Sequence, residues 1–128
     1  LKIDAEGCDK FVLDGLDWYK FLPIIILSKF ENKKTIKLNY TTSDLTKLFF
    51  DKNCRIIDPE WIFIIQYGNA NKWKSFRLNN FQKIDKNSLG NIISIQDEGF
   101  FNIFTKLAKT YENFWSLNLY YNYRKHIL

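Results

Sequence analysis

The sequence predicts an α+β fold: an apolar helix packed on a small, strongly bent β-barrel, followed by a helix–strand appendage. Three observations carry this. Residues 18–30, WYKFLPIIILSKF, form an apolar run behind a capping Asp17. From Lys34 to Ile95, apolar residues recur at two-residue steps in short runs broken by Asn, Asp and Gly. From Asp97 the apolar spacing changes to three and four residues.

Residues 1–15 read as an irregular polar segment ending in a turn at Leu13-Asp14-Gly15. Asp17 is a good N-cap residue, so residues 18–31 are expected to be helical, with Asn32-Lys33 ending the helix. Pro23 falls near the first turns, where a missing backbone N–H costs least. Almost every side of this helix is apolar, as expected of a helix clamped between layers.

Ile36, Leu38 and Tyr40 alternate with Lys37 and Asn39, the pattern of a half-buried strand over Lys34–Tyr40. Thr41–Asp44 then reads as a turn, Leu45–Phe50 as a strand, and Asp51-Lys52-Asn53 as a second turn. Cys54–Ile57 is expected to pair through an Asp58-Pro59-Glu60 hairpin with Trp61–Tyr67, and Gly68–Asn71 to lead into a strand over Lys72–Leu78. Residues 81–84 and 91–95 complete the set. Short, closely linked strands favour a closed barrel, because closure removes open edges.

Asp97-Glu98-Gly99 opens a second helix carrying Phe100, Phe104, Leu107, Ala108, Tyr111, Phe114 and Trp115 at helical spacing and ending near Ser116. The tail from residue 117 to 124 alternates like a strand. The expected organisation is an N-terminal segment at 1–15, a helix-plus-barrel unit at 16–95 and a partial α+β extension at 96–128.

Hydrophobic residues make up 46% of the 128, enough for a packed core and too much for a disordered chain. The net charge is +5, but the first 31 residues set four lysines against six acids, so the remainder carries +7. A basic second part fits an acidic partner such as a nucleotide or nucleic acid, and equally a surface merely solvated by lysine. Cys8 and Cys54 match neither a disulfide framework nor a metal motif. His126 is the only histidine and has no ligand-spaced neighbour. No signal-peptide pattern is seen, and the longest apolar run, Phe21–Leu27, is too short to span a bilayer, so a cytoplasmic protein is expected. No methionine occurs, even at residue 1, and the chain is expected to be a piece of a longer protein.

The stretch WIFIIQYGNANKWKSFRLNNFQKI, Trp61–Ile84, concentrates the interest. Its second strand turns Lys72, Lys74 and Arg77 outward. Arg77 lies between Phe76 and Leu78, so it points away from the face they share, either to grip an anion with two parallel hydrogen bonds or to pair with a nearby acid. Tyr40 and Arg55 sit at strand ends that could line the same mouth. Trp73, between Lys72 and Lys74, could stack a base while Lys74 tracks phosphate, although a cross-strand aromatic pair explains it better. Trp61 reads as core. Asp97-Glu98 is explained by a helix cap and Asp58/Glu60 by a hairpin turn, so no acid–base pair, serine nucleophile or phosphate loop points to an enzyme. Two inward carboxylates near Arg77 would revive a small nuclease or toxin as a third class.

The chain resembles the WYL domains of bacterial transcriptional regulators, whose barrel is Sm-like. The resemblance covers residues 14–85 and rests on GLDWYKFLPIIILSKFENKKTIKLNY, on Trp61-Ile62-Phe63 in place of the Trp-Tyr-Leu triplet, and on Ser75-Phe76-Arg77-Leu78-Asn79-Asn80-Phe81. Asn79-Asn80 stands where the family has an Asp-Arg pair. The resemblance implies a sensing domain that binds a nucleotide, a nucleic-acid end or another anionic ligand; the candidate ligand-binding residues are Arg77, Tyr40, Arg55, Trp73 and Lys74, and no cofactor is expected. The resemblance also implies contact with DNA through a helix-turn-helix outside these residues; separately, a homodimer is expected. The alternative from the residues themselves is a non-enzymatic module in which apolar helix and aromatic tail mediate dimerisation.

Overall fold

The structure, a computed structural model, describes residues 1–62, 72–78 and 85–125, and for 72, 73 and 114–125 it describes the backbone alone. The elements in chain order are β1 (Lys2–Ile3), α1 (Asp9–Asp14), β2 (Ile25–Glu31), α2 (Asn32–Thr35) with a 3-10 turn at Ile36–Leu38, α3 (Thr42–Asp51), β3 (Arg55–Ile62), β4 (Lys72–Leu78), β5 (Leu89–Ile95) and α4 (Glu98–Lys125). The five strands form one mixed sheet in the order β1-β2-β5-β3-β4, with β1 parallel to β2 and the other neighbours antiparallel. The fold is α+β, as predicted. Among the described residues the sheet is open, with β1 and β4 as its edges.

The expected helix at 18–31 is instead one turn followed by a strand. Asp17 does cap: its Oδ1 accepts from the backbone N–H groups of Tyr19 (3.2 Å) and Lys20 (3.3 Å). The turn cannot propagate through Pro23, and the β-branched run after it is stiff at χ1 and favours extended backbone. In β2 the buried residues are Ile26, Ser28 and Phe30, a two-residue period that only the Ser28-Lys29-Phe30-Glu31 end reveals in the sequence.

The expected strand at Lys34–Tyr40 is α2 and the 3-10 turn. Asn32 does not end a helix; it organises this one. Its Nδ2 donates to Asp85 O (2.8 Å), and its Oδ1 accepts from Thr42 N (3.2 Å) and the Thr42 hydroxyl. Asn39, at φ 61°, takes the left-handed conformation that closes the turn. In a segment this short, alternation and a three-residue turn place the same residues in step.

The expected strand Leu45–Phe50 is the centre of α3. Thr41 and Asp44 form a capping box, with Thr41 N donating to Asp44 Oδ2 at 2.7 Å and Asp44 N to Thr41 Oγ1 at 3.4 Å. Thr42, Leu45, Thr46 and Phe49 are buried at helical spacing. At the other end of the chain, α4 does not stop near Ser116 and give way to a strand; it continues to Lys125, since neither Gly nor Pro occurs in it after Gly99. Asp97 caps it as expected, its Oδ1 accepting from Phe100 N at 2.8 Å.

Asp58-Pro59-Glu60 is not a hairpin but lies inside β3. Proline has no N–H to give, and the β3–β5 register is interrupted at Asp58 and Pro59 before resuming at Glu60. The Pro59 carbonyl leans in there: a Cβ on Gly90 would lie 2.1 Å from it and 2.7 Å from Phe30 Cε1. β4 and β5 match the expected strands at Lys72–Leu78 and 91–95. The strand expected at 81–84, the turn Gly68–Asn71 and most of Trp61–Tyr67 lie outside the described residues. The N-terminal segment contributes β1 and α1 instead of remaining irregular.

The main core lies on the sheet face covered by α1 and α3, where Leu13, Ile26, Phe30, Leu45, Phe49, Ile56 and Ile92 are buried together. Asp9 joins the layers from α1: its carboxylate accepts from Ala5 N (3.2 Å), Ser28 Oγ (3.2 Å) and Lys29 N (3.1 Å). The opposite face presents Ile57, Pro59 and Ile93 to α4. Cys8 and Cys54 are both free thiols.

Candidate functional site

Two-residue alternation in β3 puts Ile56, Asp58 and Glu60 on one face. Ile56 joins the core, whereas Asp58 (1% exposed) and Glu60 (4%) bring charge into the same layer near its edge. Two buried carboxylates require partners, and the neighbouring strand supplies them. The antiparallel register sets Arg77 opposite Asp58 and Ser75 opposite Glu60. It then shifts between Glu60 and Trp61, so Lys74 has no Cα partner on β3.

Arg77 donates to Asp58 Oδ2 from Nε (3.1 Å) and Nη2 (2.9 Å), and to Glu60 Oε2 from Nη1 (3.0 Å). Glu60 Oε1 accepts from Lys74 Nζ (2.7 Å) and Ser88 Oγ (2.6 Å). The four charges cancel. Asp58 Oδ1 is buried and has no hydrogen-bond partner. Burial is the dominant influence on this carboxyl and, despite Arg77, pushes it up to about 6. Burial also works to raise Glu60, but the hydrogen bonds from Lys74 and Ser88 and the charges of Lys74 and Arg77 outweigh it and hold Glu60 below the usual value.

Arg77 therefore points away from Phe76 and Leu78, as predicted, and of the two partners open to it the structure supplies the acid. Lys74 joins the same cluster, with its side chain half exposed. Tyr40 and Arg55 do not. Tyr40 is buried, donates its hydroxyl to Gly7 O and meets Phe11 edge-on at 5.9 Å. Arg55 fastens the start of β3 to α4, with Nη2 3.2 Å from Glu98 Oε2 and Nη1 donating to Gln96 O at 3.4 Å. The backbone register sets Trp73 opposite Trp61, the cross-strand placement that the sequence favoured.

Asp58 and Glu60 lie not in a hairpin turn but inside β3, and their carboxyls are shifted in opposite directions, Asp58 up and Glu60 down. The signal available was the spacing Ile56-Asp58-Glu60, which continues an apolar strand's buried period. Ser88 carries no such signal. Among the described residues, no group of three His, Cys, Asp or Glu side chains could hold a metal ion, and no helix is long and apolar enough to cross a membrane.

A second feature lies on the other face. An apolar groove of about 530 Å³ runs between α4 and the sheet, floored by Ile57, Pro59 and Ile93 and walled by Phe104, Leu107 and Tyr111. Beside it α4 leaves Phe100, Ile103, Leu107 and Tyr111 exposed by 45, 55, 60 and 46%. The chain matches no protein-family model, no curated protein and no solved structure. The WYL resemblance thus rests on the motifs quoted above.

Proposed function

We propose that this chain is a non-enzymatic protein-interaction module whose docking element is α4 with the groove beside it. The observation that carries the reading is the row of four large apolar side chains left exposed at three- and four-residue steps. Buried apolar area is worth about 25 cal/mol per Å², and an apolar patch rimmed by polar residues marks an interaction surface. The charged cluster argues the same way by contrast. Asp58 and Glu60 are the two inward carboxylates near Arg77 that a nuclease or toxin would need, but both are buried and bonded to Arg77, Glu60 also to Lys74 and Ser88. Its cations are engaged by carboxylates, so an anion at Arg77 must displace Asp58 or Glu60.

The test is binding of Nile red, an uncharged dye for apolar surface, to dilute protein. Wild type is expected to bind it and Leu107→Gln to bind it markedly less with unchanged circular dichroism. No dye binding by wild type would sink the reading.

The anionic-ligand reading remains as a second proposal because Lys74, half exposed, borders a pocket of about 240 Å³ with Glu60, Trp61, Asn87 and Ser88. In it the chain is the sensing domain of a DNA-binding regulator, and pyrophosphate binding should be lost in Lys74→Ala. The Sm-like barrel belongs to this proposal too, since closure needs a second partner for β4, which among the described residues pairs with β3 alone.

A further inference from the structure

A cleft of about 430 Å³ lies between α1, α3 and the turn that carries Trp18, on the side of the sheet away from α4. Trp18 is its fixed wall. The indole Nε1 donates to Leu13 O at 2.9 Å, and the ring meets Phe49 edge-on at 6.4 Å. Over the ring stands a cation, Lys52 Nζ, 5.6 Å from the centroid. This aromatic face is therefore reachable by a positive charge and attracts one.

The rest of the cleft is charged in both signs, with three lysines and three aspartates that sum to zero. Lys10 Nζ and Asp14 Oδ2 already pair at 2.6 Å, and Asp44 is taken up in the cap of α3. Lys47 and Asp51 make no hydrogen bond or ion pair with each other, although their spacing of four residues on α3 would allow one. A simple anion here meets as many carboxylates as ammoniums, and a simple cation fares no better. A ligand that carries both charges finds an opposite for each.

The spacing selects among such ligands. Lys47 stands five residues before Lys52, about 7.5 Å along the axis of α3. An α-amino acid holds its two charges on neighbouring carbons, too close to meet both places. A quaternary ammonium joined to a phosphate through a short carbon linker reaches further, and an aromatic face suits that kind of cation.

We propose that this cleft binds a zwitterion of the phosphocholine class, with its ammonium on the Trp18 ring in the place of Lys52 Nζ and its phosphate on Lys47. The cleft shares no lining residue with the α4 groove or the Arg77 cluster, so the proposal stands apart from both. The same chemistry occurs in a free molecule and in a lipid headgroup.

Calorimetric titration with phosphocholine tests it. Wild type is expected to bind phosphocholine, and to bind choline or inorganic phosphate at least about tenfold more weakly, the worth of one charged contact. Lys47→Gln should weaken phosphocholine about tenfold and leave choline unchanged. Lys52→Gln should tighten both phosphocholine and choline, because no lysine then competes for the ring. Unchanged circular dichroism checks that both variants fold. Sucrose-loaded phosphatidylcholine vesicles separate the sources: wild type that cosediments with them, and Lys47→Gln that does not, assigns a lipid headgroup, whereas calorimetric binding without cosedimentation assigns a free ligand. No binding of phosphocholine by wild type overturns the site. Choline bound as tightly as phosphocholine overturns the anionic end, and Lys52→Gln that binds no more tightly than wild type overturns the ring as the seat of the cation.

Discussion

Arg77 makes both of its contacts with Asp58 to a single oxygen, Oδ2, at 2.9 and 3.1 Å, and leaves Oδ1 buried without a partner. The carboxylate is thus half satisfied. This asymmetry agrees with a carboxyl that burial holds well above its ordinary value even beside a guanidinium.

The pH dependence follows with a definite sign. The folded value of Asp58 is about 6 against an ordinary 3.8, so this group's contribution is full below about 3.8 and is lost as pH rises through about 6. At about 1.4 kcal/mol per pH unit, the whole effect is on the order of 3 kcal/mol. Asp58→Asn removes it. Urea denaturation between pH 4 and 7.5 should show wild type losing stability relative to Asp58→Asn as pH rises; parallel curves would refute the assignment.

Arg77→Ala strands two buried carboxylates. Breaking a buried ion pair from one side costs about 3–5 kcal/mol. The variant is therefore expected to be strongly destabilised, and Asp58→Asn in the same chain should recover part of the loss. A double-mutant cycle by chemical denaturation measures the coupling, and simple additivity of the two substitutions would exclude it.

Gly90 admits no side chain, because a Cβ there would meet the Pro59 carbonyl at 2.1 Å and the Phe30 ring at 2.7 Å. Gly90→Ala should cost at least about 3 kcal/mol, the upper range for overpacking. Gly15→Ala, whose nearest contact is an ordinary 3.5 Å, should melt within a few degrees of wild type. Thermal denaturation of both variants separates the clash from a general intolerance of alanine.

Thr41→Ala removes the reciprocal cap of α3. The expected loss is about 1 kcal/mol, seen as a lower denaturation midpoint with an unchanged slope. A midpoint equal to that of wild type would show that α3 is held by its buried Leu45 and Phe49 alone.

Where local chemistry was unambiguous, the elements were legible in advance. Lys72–Leu78 and the strand ending at Ile95 are short runs rich in aromatic and β-branched residues, and Asp97 opens a helix whose apolar spacing is sustained. Three segments misled for physical reasons. Ile24–Leu27 is apolar at every position and so carries no period. Ile36–Tyr40 is too short to separate a 3-10 turn from a strand. Pro59 looks like a turn residue, yet it sits inside β3, opposite Phe76 of β4 and where the β3–β5 register is interrupted. The Thr41–Asp44 capping box was present in the sequence, but the alternation around it suggested strands.

By itself the sequence determined that Arg77 points away from Phe76 and Leu78, and that α4 begins behind Asp97 with an apolar row along it. What Arg77 meets was decided by tertiary structure. Asp58 lies 19 residues away, and only the register of β3 against β4 sets it opposite. Periodicity along one strand fixes which face a side chain takes, because successive residues alternate. It carries no information about the partner across the ladder, which depends on how two distant segments align.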